Sequence, residues 1–490
     1  MGKSQDQLDA FYGIDNLITV EITMPEEQWA ALMACEPRGG ICNFEYVGGP
    51  RFDWYKASSV TISGTHALKK KATFTDVGII KKSYCGSFSK TKPSVRLDFA
   101  RNIKENEDVI EKLIGTKSIT LNNCKQDPAY IRQPFGYEIF RSTHSKMQLC
   151  QDDRKWCRHV SSNSFYIFPS PVPRLLSLLY LPENLLHRGV FVNLEQYKKP
   201  LLKNNFDGND KGNLYELDAG DDLEPAVIKA EKISFESGGA EDQKDLLLAA
   251  EAIASDGLAG AKKVIDYDAF IKLYAMETII KHRDGFTINT NNTYLYNDMK
   301  AVDNPTIRDL NLKFIPCGID QLLREVKDFE MGSKAILARL ILADPKAKAD
   351  LLSAIRYYAT EIFSKANHDK VLKPYIDRLE ALVARAGAMP ESAINSLRHE
   401  VKLVRSGAYQ HLGEFPSDAS FVARVSGVCI PTSNSEYIPE ATPSKFGGEL
   451  FKTGYFLLKC KATGKYVSFG DEKEVVQVGD KAQAAQFYLY

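Results

Sequence analysis

His282-Arg283-Asp284-Gly285-Phe286-Thr287-Ile288-Asn289 lies near the middle of a 490-residue chain and reads H-R-D-G-F-T-I-N. The stretch puts a carboxylate and, five residues on, a carboxamide on one short turn. A carboxylate can accept a proton from a reacting hydroxyl, and an amide oxygen can ligate a hard cation. Upstream, residues 267–280 carry Phe270, Leu273, Met276 and Ile280 at helical spacing. Downstream, Thr293-Tyr294-Leu295-Tyr296 reads as a short strand. A polar stretch leads to a second strand, Lys313-Phe314-Ile315-Pro316, which stops at Cys317-Gly318-Ile319-Asp320. The order is therefore helix, loop with acid and amide, strand, turn, strand, acid. Taken singly, Asp284 is as well explained by a solvated turn after a helix, and Asp320 by a helix N-cap. The combination in this order favours a site.

Composition bounds the alternatives. Hydrophobic residues make up 44% and charged residues 26%, ordinary values for a globular chain. Lys plus Arg and Asp plus Glu number 63 each, so no net field draws nucleic acid or anionic lipid. The runs Lys69-Lys70-Lys71 and Lys81-Lys82 read as solvated strand edges. No apolar run reaches the roughly eighteen residues of a membrane span. The first residues lack the apolar core of a secretory signal, and Asp6 stands where myristoylation wants Ser or Thr. Nine cysteines are scattered without a C-x-x-C pair, which argues against a zinc site and against a disulfide framework. A reducing, cytoplasmic setting is the expectation, with secretion left open.

The rest of the chain falls into three stretches. Residues 15–125 read mainly as β, with alternation in Ile18-Thr19-Val20-Glu21-Ile22-Thr23 and in Ser94-Val95-Arg96-Leu97-Asp98-Phe99. Helices are expected over 25–33 and 131–142, and a buried strand over 188–195. Residues 200–265 read as mixed and polar, rich in loops, and residues 333–406 as helical. Beyond about 415, Gly454 to Cys460, Gly464 to Phe469 and Gln486 to Tyr490 read as strands. Their pattern weakly resembles one repeat of a fascin- or ricin-type β-trefoil, and a small β appendage is the safer expectation. The boundaries drawn are 1–192, 193–410 and 415–490.

The H-R-D loop has the spacing of a protein-kinase catalytic loop, in which the Asp handles the substrate hydroxyl and the Asn holds a metal ion. More of the chain resembles one atypical branch, the CotH kinase family of spore-coat-type kinases, from about residue 15 to residue 400. The family's D-G-Y-x-x-N-x-N-N segment is matched by Asp284 to Asn292, and its I-P-W-x-x-D segment by Ile315-Pro316-Cys317-Gly318-Ile319-Asp320. Its G-V-Y-x-x-x-E segment is matched by Gly189 to Glu195, and its L-x-N-x-x-x-D segment by Leu121 to Asp127. Two departures stand out. The R-G-x-S-S turn is reduced to Cys85-Gly86-Ser87-Phe88-Ser89 without the Arg, and the first acid of a D-x-D is Gly318.

The resemblance implies an α+β, kinase-like two-lobed fold with a β-rich N-lobe and a helical C-lobe. It implies ATP- and Mg²⁺-dependent phosphoryl transfer, with protein Ser/Thr hydroxyls as the first acceptor to consider. On that footing Asp284 is the catalytic acid–base residue, and Asn289 and Asp320 hold the metal. Lys92 or Arg96, expected on one face of an N-lobe strand, would meet the phosphates. Glu138 would pair with that cation, and Glu195 would mark the adenine-side hinge. His282 and Arg283 order the loop. Two other readings remain open: a nucleotide-binding scaffold without turnover, and transfer of the nucleotide part of ATP.

Overall fold

The computed structural model describes residues 7, 11–13, 16–43, 50–64, 68, 70–82, 84–145, 175–180, 189–206, 208–230, 233–239, 242–326, 330–413, 420–424, 429–431, 437–441, 445–446, 449–450, 455–470 and 474–489. Lys69 of the first basic run, and Arg188, Gly454 and Tyr490, named above as strand ends, lie outside these. The fold is a mixture of curled sheets and helices.

Strands β1 (Ile18–Thr23), β2 (Trp54–Gly64), β3 (Ala72–Lys81), β4 (Val95–Asp98), β5 (Ser118–Asn122), β6 (Leu175–Tyr180) and β7 (Gly189–Leu194) form a closed barrel in the order β1-β2-β3-β4-β5-β7-β6. Closure comes from parallel pairing of β6 with β1; all other neighbours are antiparallel. Alternate residues face inward, as the period of two requires. Ile18, Val20 and Ile22 of β1 thus meet Val60, Ile62, Val77, Ile79, Val95, Leu97, Ile119 and Leu121 in one buried core. Full burial of each such aliphatic side chain is worth about 1.5–3 kcal/mol. Helices α1 (Glu26–Ala34) and α2 (Asn106–Ile114) add Trp29, Leu32, Ile110 and Ile114 to that core. Lys81 is not a solvated edge residue. It is buried, and its ammonium donates to the Met33 and Cys35 carbonyls at 2.7 Å, satisfying the end of α1.

The second half is built on a four-stranded sheet and a helical body. Helix α3 (Arg132–Ser145) leads out of the barrel sequence, and α4 (Lys199–Asn205) follows β7. Strands β8 (Leu214–Leu217), β9 (Ser234–Ser237), β10 (Thr293–Asn297) and β11 (Leu312–Pro316) run in the order β11-β10-β8-β9. Helices α5 (Pro225–Lys229), α6 (Lys244–Asp256) and α7 (Leu258–Val264) fill the stretch expected to be loops. Leu246, Ala249, Ala250, Ile253 and Val264 are buried there. Helix α8 (Tyr267–Ile279) is capped by Asp266, whose carboxylate accepts from the Ala269 amide at 3.0 Å. The α8 ring of Phe270, with Phe286 and Phe314, makes an aromatic cluster with centroids 4.8–6.1 Å apart. No helix among the described residues is long and apolar enough to cross a membrane.

The C-terminal strands pack on the last long helix, Glu391–Leu412, and share its core. Phe421, Tyr455, Phe456, Phe487 and Leu489 are buried in one cluster with Leu397, Val401 and Val404. The Ser406 hydroxyl accepts from the Leu489 amide at 3.2 Å. A disulfide joins Cys42 to Cys85, so the scattered cysteines contain one bridge that sequence spacing did not reveal.

Candidate active site

The H-R-D loop hangs between α8 and β10 and is fixed from below by a residue the sequence reading passed over. Glu277, fully buried on α8, accepts from the Phe286 amide (3.1 Å), the Thr287 amide (3.0 Å) and the Thr287 hydroxyl (2.6 Å). Hydrogen bonds to a charged acceptor contribute about 1.5–3 kcal/mol each, enough to offset burying the carboxylate. A glutamate inside an otherwise apolar helix face was the signal available. His282 is also fully buried, its Nδ1 3.4 Å from Glu277 Oε1. Arg283 points outward to an exposed ion pair with Glu325. Residues 286–289 form a one-turn helix, α9 (Phe286–Asn289), rather than an irregular loop.

Asp284, half-buried, is held by three asparagines. Asn289 Nδ2 (2.6 Å) and Asn291 Nδ2 (3.0 Å) donate to its Oδ1, while Asn292 Nδ2 donates to Oδ2 and to the backbone carbonyl, both at 2.9 Å. The asparagines after the loop therefore fix the carboxylate directly. Thr290 and Asn292 sit at φ +47° and +49°, a left-handed backbone that Asn tolerates better than most residues.

Asp320 lies on a single 3-10 turn directly after β11 and is 8% exposed. Burial lifts its carboxyl to about 6; Arg324 and His282 pull it down, and the charge of Asp284 pushes it up. Asp284 and Asp320 therefore share one electrostatic neighbourhood. Gly318, at φ +56°, explains the missing first acid. A Cβ there would come within 2.1 Å of Asn292 Oδ1, the amide that holds Asp284. Gly318→Asp is expected to lower the melting temperature, with roughly 1–3 kcal/mol of strain at the site. Thermal unfolding checks this, and a melting temperature matching the parent would show that the Asn292 amide yields.

The segment that follows β5 reaches the Asp320 loop. Asn123 Nδ2 donates to the Ser87 and Lys92 carbonyls at 2.9 and 2.8 Å, tying down the turn that follows Cys85. Asp127, four residues on, is buried and accepts from the Ala129 and Arg132 amides. Burial raises its carboxyl to about 7 despite Arg132 beside it, and Asp320 adds to the rise. Arg132 donates through Nη1 to the carbonyls of Leu322 (3.1 Å) and Leu323 (2.6 Å), just past Asp320. One segment, residues 121–132, thus pins both the barrel turn and the Asp320 loop. Asp127 stands in the L-x-N-x-x-x-D segment, whereas Arg132 carries no motif of its own in the sequence.

The structure separates the two candidate phosphate cations. Strand β4 starts only at Val95, so alternation does not extend back to Lys92. Lys92 donates to the Val190 carbonyl at 2.6 Å and lies over Tyr130 (5.1 Å) and Phe191 (4.6 Å). Its stem passes Gly189, where a Cβ would sit 3.2 Å from Lys92 Cε, so the Gly189-Val190-Phe191 strand shapes its seat. Burial draws this ammonium below its ordinary range, and the buried Cys124 thiol beside it opposes that. Burial pushes the Cys124 thiol up, and Asp127 and Asp320 add to the rise. Arg96 instead faces Trp54 at 5.9 Å, a ring it shares with Arg101 at 4.1 Å. Glu138 is half-buried on α3. Glu195 is buried just past β7, and its charge helps raise the Tyr12 hydroxyl, chiefly shifted by burial.

No group of three or more His, Cys, Asp or Glu side chains converges among the described residues. The donors near Asp284 are carboxylate and amide oxygens, the hard set that suits Mg²⁺ completed by waters and phosphates. Comparison with curated protein sequences gives no match. Comparison with protein families gives one, the model described as CotH kinase protein, over residues 83–415. That span holds the Asn123–Arg132 segment, the Asp284 turn and the Asp320 loop. The chain belongs to the CotH kinase family.

Proposed function

We propose that this protein transfers the γ-phosphoryl group of ATP to a hydroxyl, with protein Ser/Thr side chains as the first acceptors to test. The observation that carries the reading is the Asp284 carboxylate. Three asparagine amides aim it, and it shares a neighbourhood with the buried Asp320. A carboxylate raised by burial gains most from a cation beside it. Asp320 and the Asn289 amide oxygen would hold Mg²⁺, which would supply charge neutralisation on the phosphates. The barrel serves as the nucleotide-side lobe, with Lys92 as the phosphate cation. Arg96, Glu138 and Glu195 remain second-line nucleotide contacts, and the helical half serves as the catalytic lobe.

The step itself is positioning and electrostatics. The acceptor oxygen bonds to the γ-phosphorus and its proton passes to Asp284. The β–γ bridging P–O bond breaks, and ADP leaves with the electron pair. A melting-temperature rise with Mg²⁺ and ATP together, absent with either alone, is the expected binding result. No rise with the pair would remove the nucleotide from this reading.

A further inference from the structure

Lys334 is the one cation seated on the amide network of Asp284 among the described residues. Its Nζ donates to Asn289 Oδ1 at 3.0 Å and to the Asn289 carbonyl at 3.2 Å. Asn289 Nδ2 in turn lies 2.6 Å from Asp284 Oδ1. An ammonium, a carboxamide and the carboxylate are thus chained in one line at the solvent-facing lip of the turn.

The backbone that delivers Lys334 is held from several independent directions. Its own amide donates to the Thr287 carbonyl at 3.3 Å. Gly332 runs so close to the same turn that a Cβ would meet the Thr287 oxygen at 2.4 Å. The Tyr274 hydroxyl, from α8, donates to the Gly332 carbonyl. Arg339 donates to the Lys334 carbonyl and pairs with Glu224 at 2.6 Å. The Ile336 amide donates to buried Asp222 at 2.7 Å. A surface lysine gains little from such anchoring, since an exposed charge contact alone contributes about 0–1 kcal/mol. What the anchoring does is hold a mobile-tipped cation within reach of one place. That place is the Asn289 side of Asp284.

We infer that Lys334 contacts the transferring phosphoryl group, leaving Asn289 Oδ1 to the metal as it does so. The inference rests on the phosphotransfer reading above and deepens it. Chemically, the equatorial phosphoryl oxygens carry charge in the transition state, and a compact ammonium on a flexible stem can follow them. The same ammonium competes with Mg²⁺ for a single amide oxygen. Removing it should therefore slow turnover while easing metal entry, a pair of opposite effects that a mere prop for the loop would not produce.

The test compares the full chain with Lys334→Ala and Lys334→Arg. Transfer from γ-labelled ATP to a generic protein acceptor gives kcat. Thermal shift with a non-hydrolysable ATP analogue gives the Mg²⁺ concentration for half-maximal stabilisation. Lys334→Ala should lose about 100-fold in kcat, the scale of removing one preorganised donor to a developing oxyanion. Lys334→Arg should regain part of it. The Mg²⁺ midpoint should fall in Lys334→Ala. Turnover near that of the parent overturns the phosphoryl contact. A midpoint that is unchanged or higher overturns the shared oxygen and makes Lys334 a support for Asn289. A parent protein that transfers no γ-phosphoryl, yet shows the midpoint shift, would instead sink the phosphotransfer reading and leave the shared oxygen standing.

Discussion

Asp284→Asn is expected to cut phosphoryl transfer by roughly two or more orders of magnitude, the loss typical of a positioned general base. The substitution keeps volume and removes the charge that accepts the hydroxyl proton. The structure adds a second consequence. Asn289, Asn291 and Asn292 all present amide N–H groups to the Asp284 oxygens at 2.6–3.0 Å. An amide at 284 has one acceptor oxygen and one donor nitrogen, so at least one neighbour faces N–H against N–H. That mismatch costs about 1–3 kcal/mol locally and should loosen the turn without unfolding the chain, because Glu277 anchors it from beneath. Steady-state transfer assays beside nucleotide-binding measurements read the two effects apart. Near-normal turnover would remove Asp284 from the chemistry. A loss of ATP binding as deep as the loss of turnover would place Asp284 among the metal ligands.

Asp320→Asn is expected to abolish the Mg²⁺-dependent stabilisation by ATP while raising the melting temperature of the metal-free protein at pH 8. The folded-state carboxyl of Asp320 is raised to about 6, with burial the largest cause. For a raised carboxyl, the stability it contributes is present below the unfolded value near 4 and is lost as pH rises through about 6. At pH 8 the folded protein therefore holds an ionised, buried carboxylate at a cost of about 3 kcal/mol, which the neutral amide removes. A site that destabilises the empty fold and is relieved by its ligand is a common stability–function trade-off. Thermal melts at pH 4 and pH 8, with and without Mg²⁺–ATP, measure both effects. An unchanged ATP-induced shift in the variant would sink the metal assignment. A variant less stable than the parent at pH 8 would show that Arg324 outweighs burial.

The line of helix, acid–amide turn, strand, strand and acid was legible because each part carries a local signal. Phe270, Leu273 and Met276 mark α8, β-branched and aromatic residues mark β10 and β11, and Asp and Asn punctuate the turns. The β-rich first third was equally readable from its period of two. The helices over 244–264 were not, because their apolar faces are interrupted by Gly257, Gly260 and charged residues, and burial comes from contacts distant in sequence. The role of Gly318 was invisible for the same reason: its constraint is Asn292, twenty-six residues away in sequence. The geometry also divides what alternation had joined. Lys92 and Arg96 are even-spaced, yet Pro93 and the late start of β4 send them to different rings. Lys334 carried no local signal at all, being one lysine among many until the tethers at Gly332, Ile336 and Arg339 place it on Asn289.

Paired reactions with ATP labelled at the γ- or at the α-phosphate, run with Mg²⁺ and a hydroxyl-bearing protein acceptor, address the central claim most directly. The account predicts label on the acceptor, or on the protein itself, from the γ-labelled nucleotide alone, and its disappearance in Asp284→Asn. Label arriving from the α-position would contradict it by showing nucleotide transfer, and label from neither position would contradict it in favour of a binding scaffold.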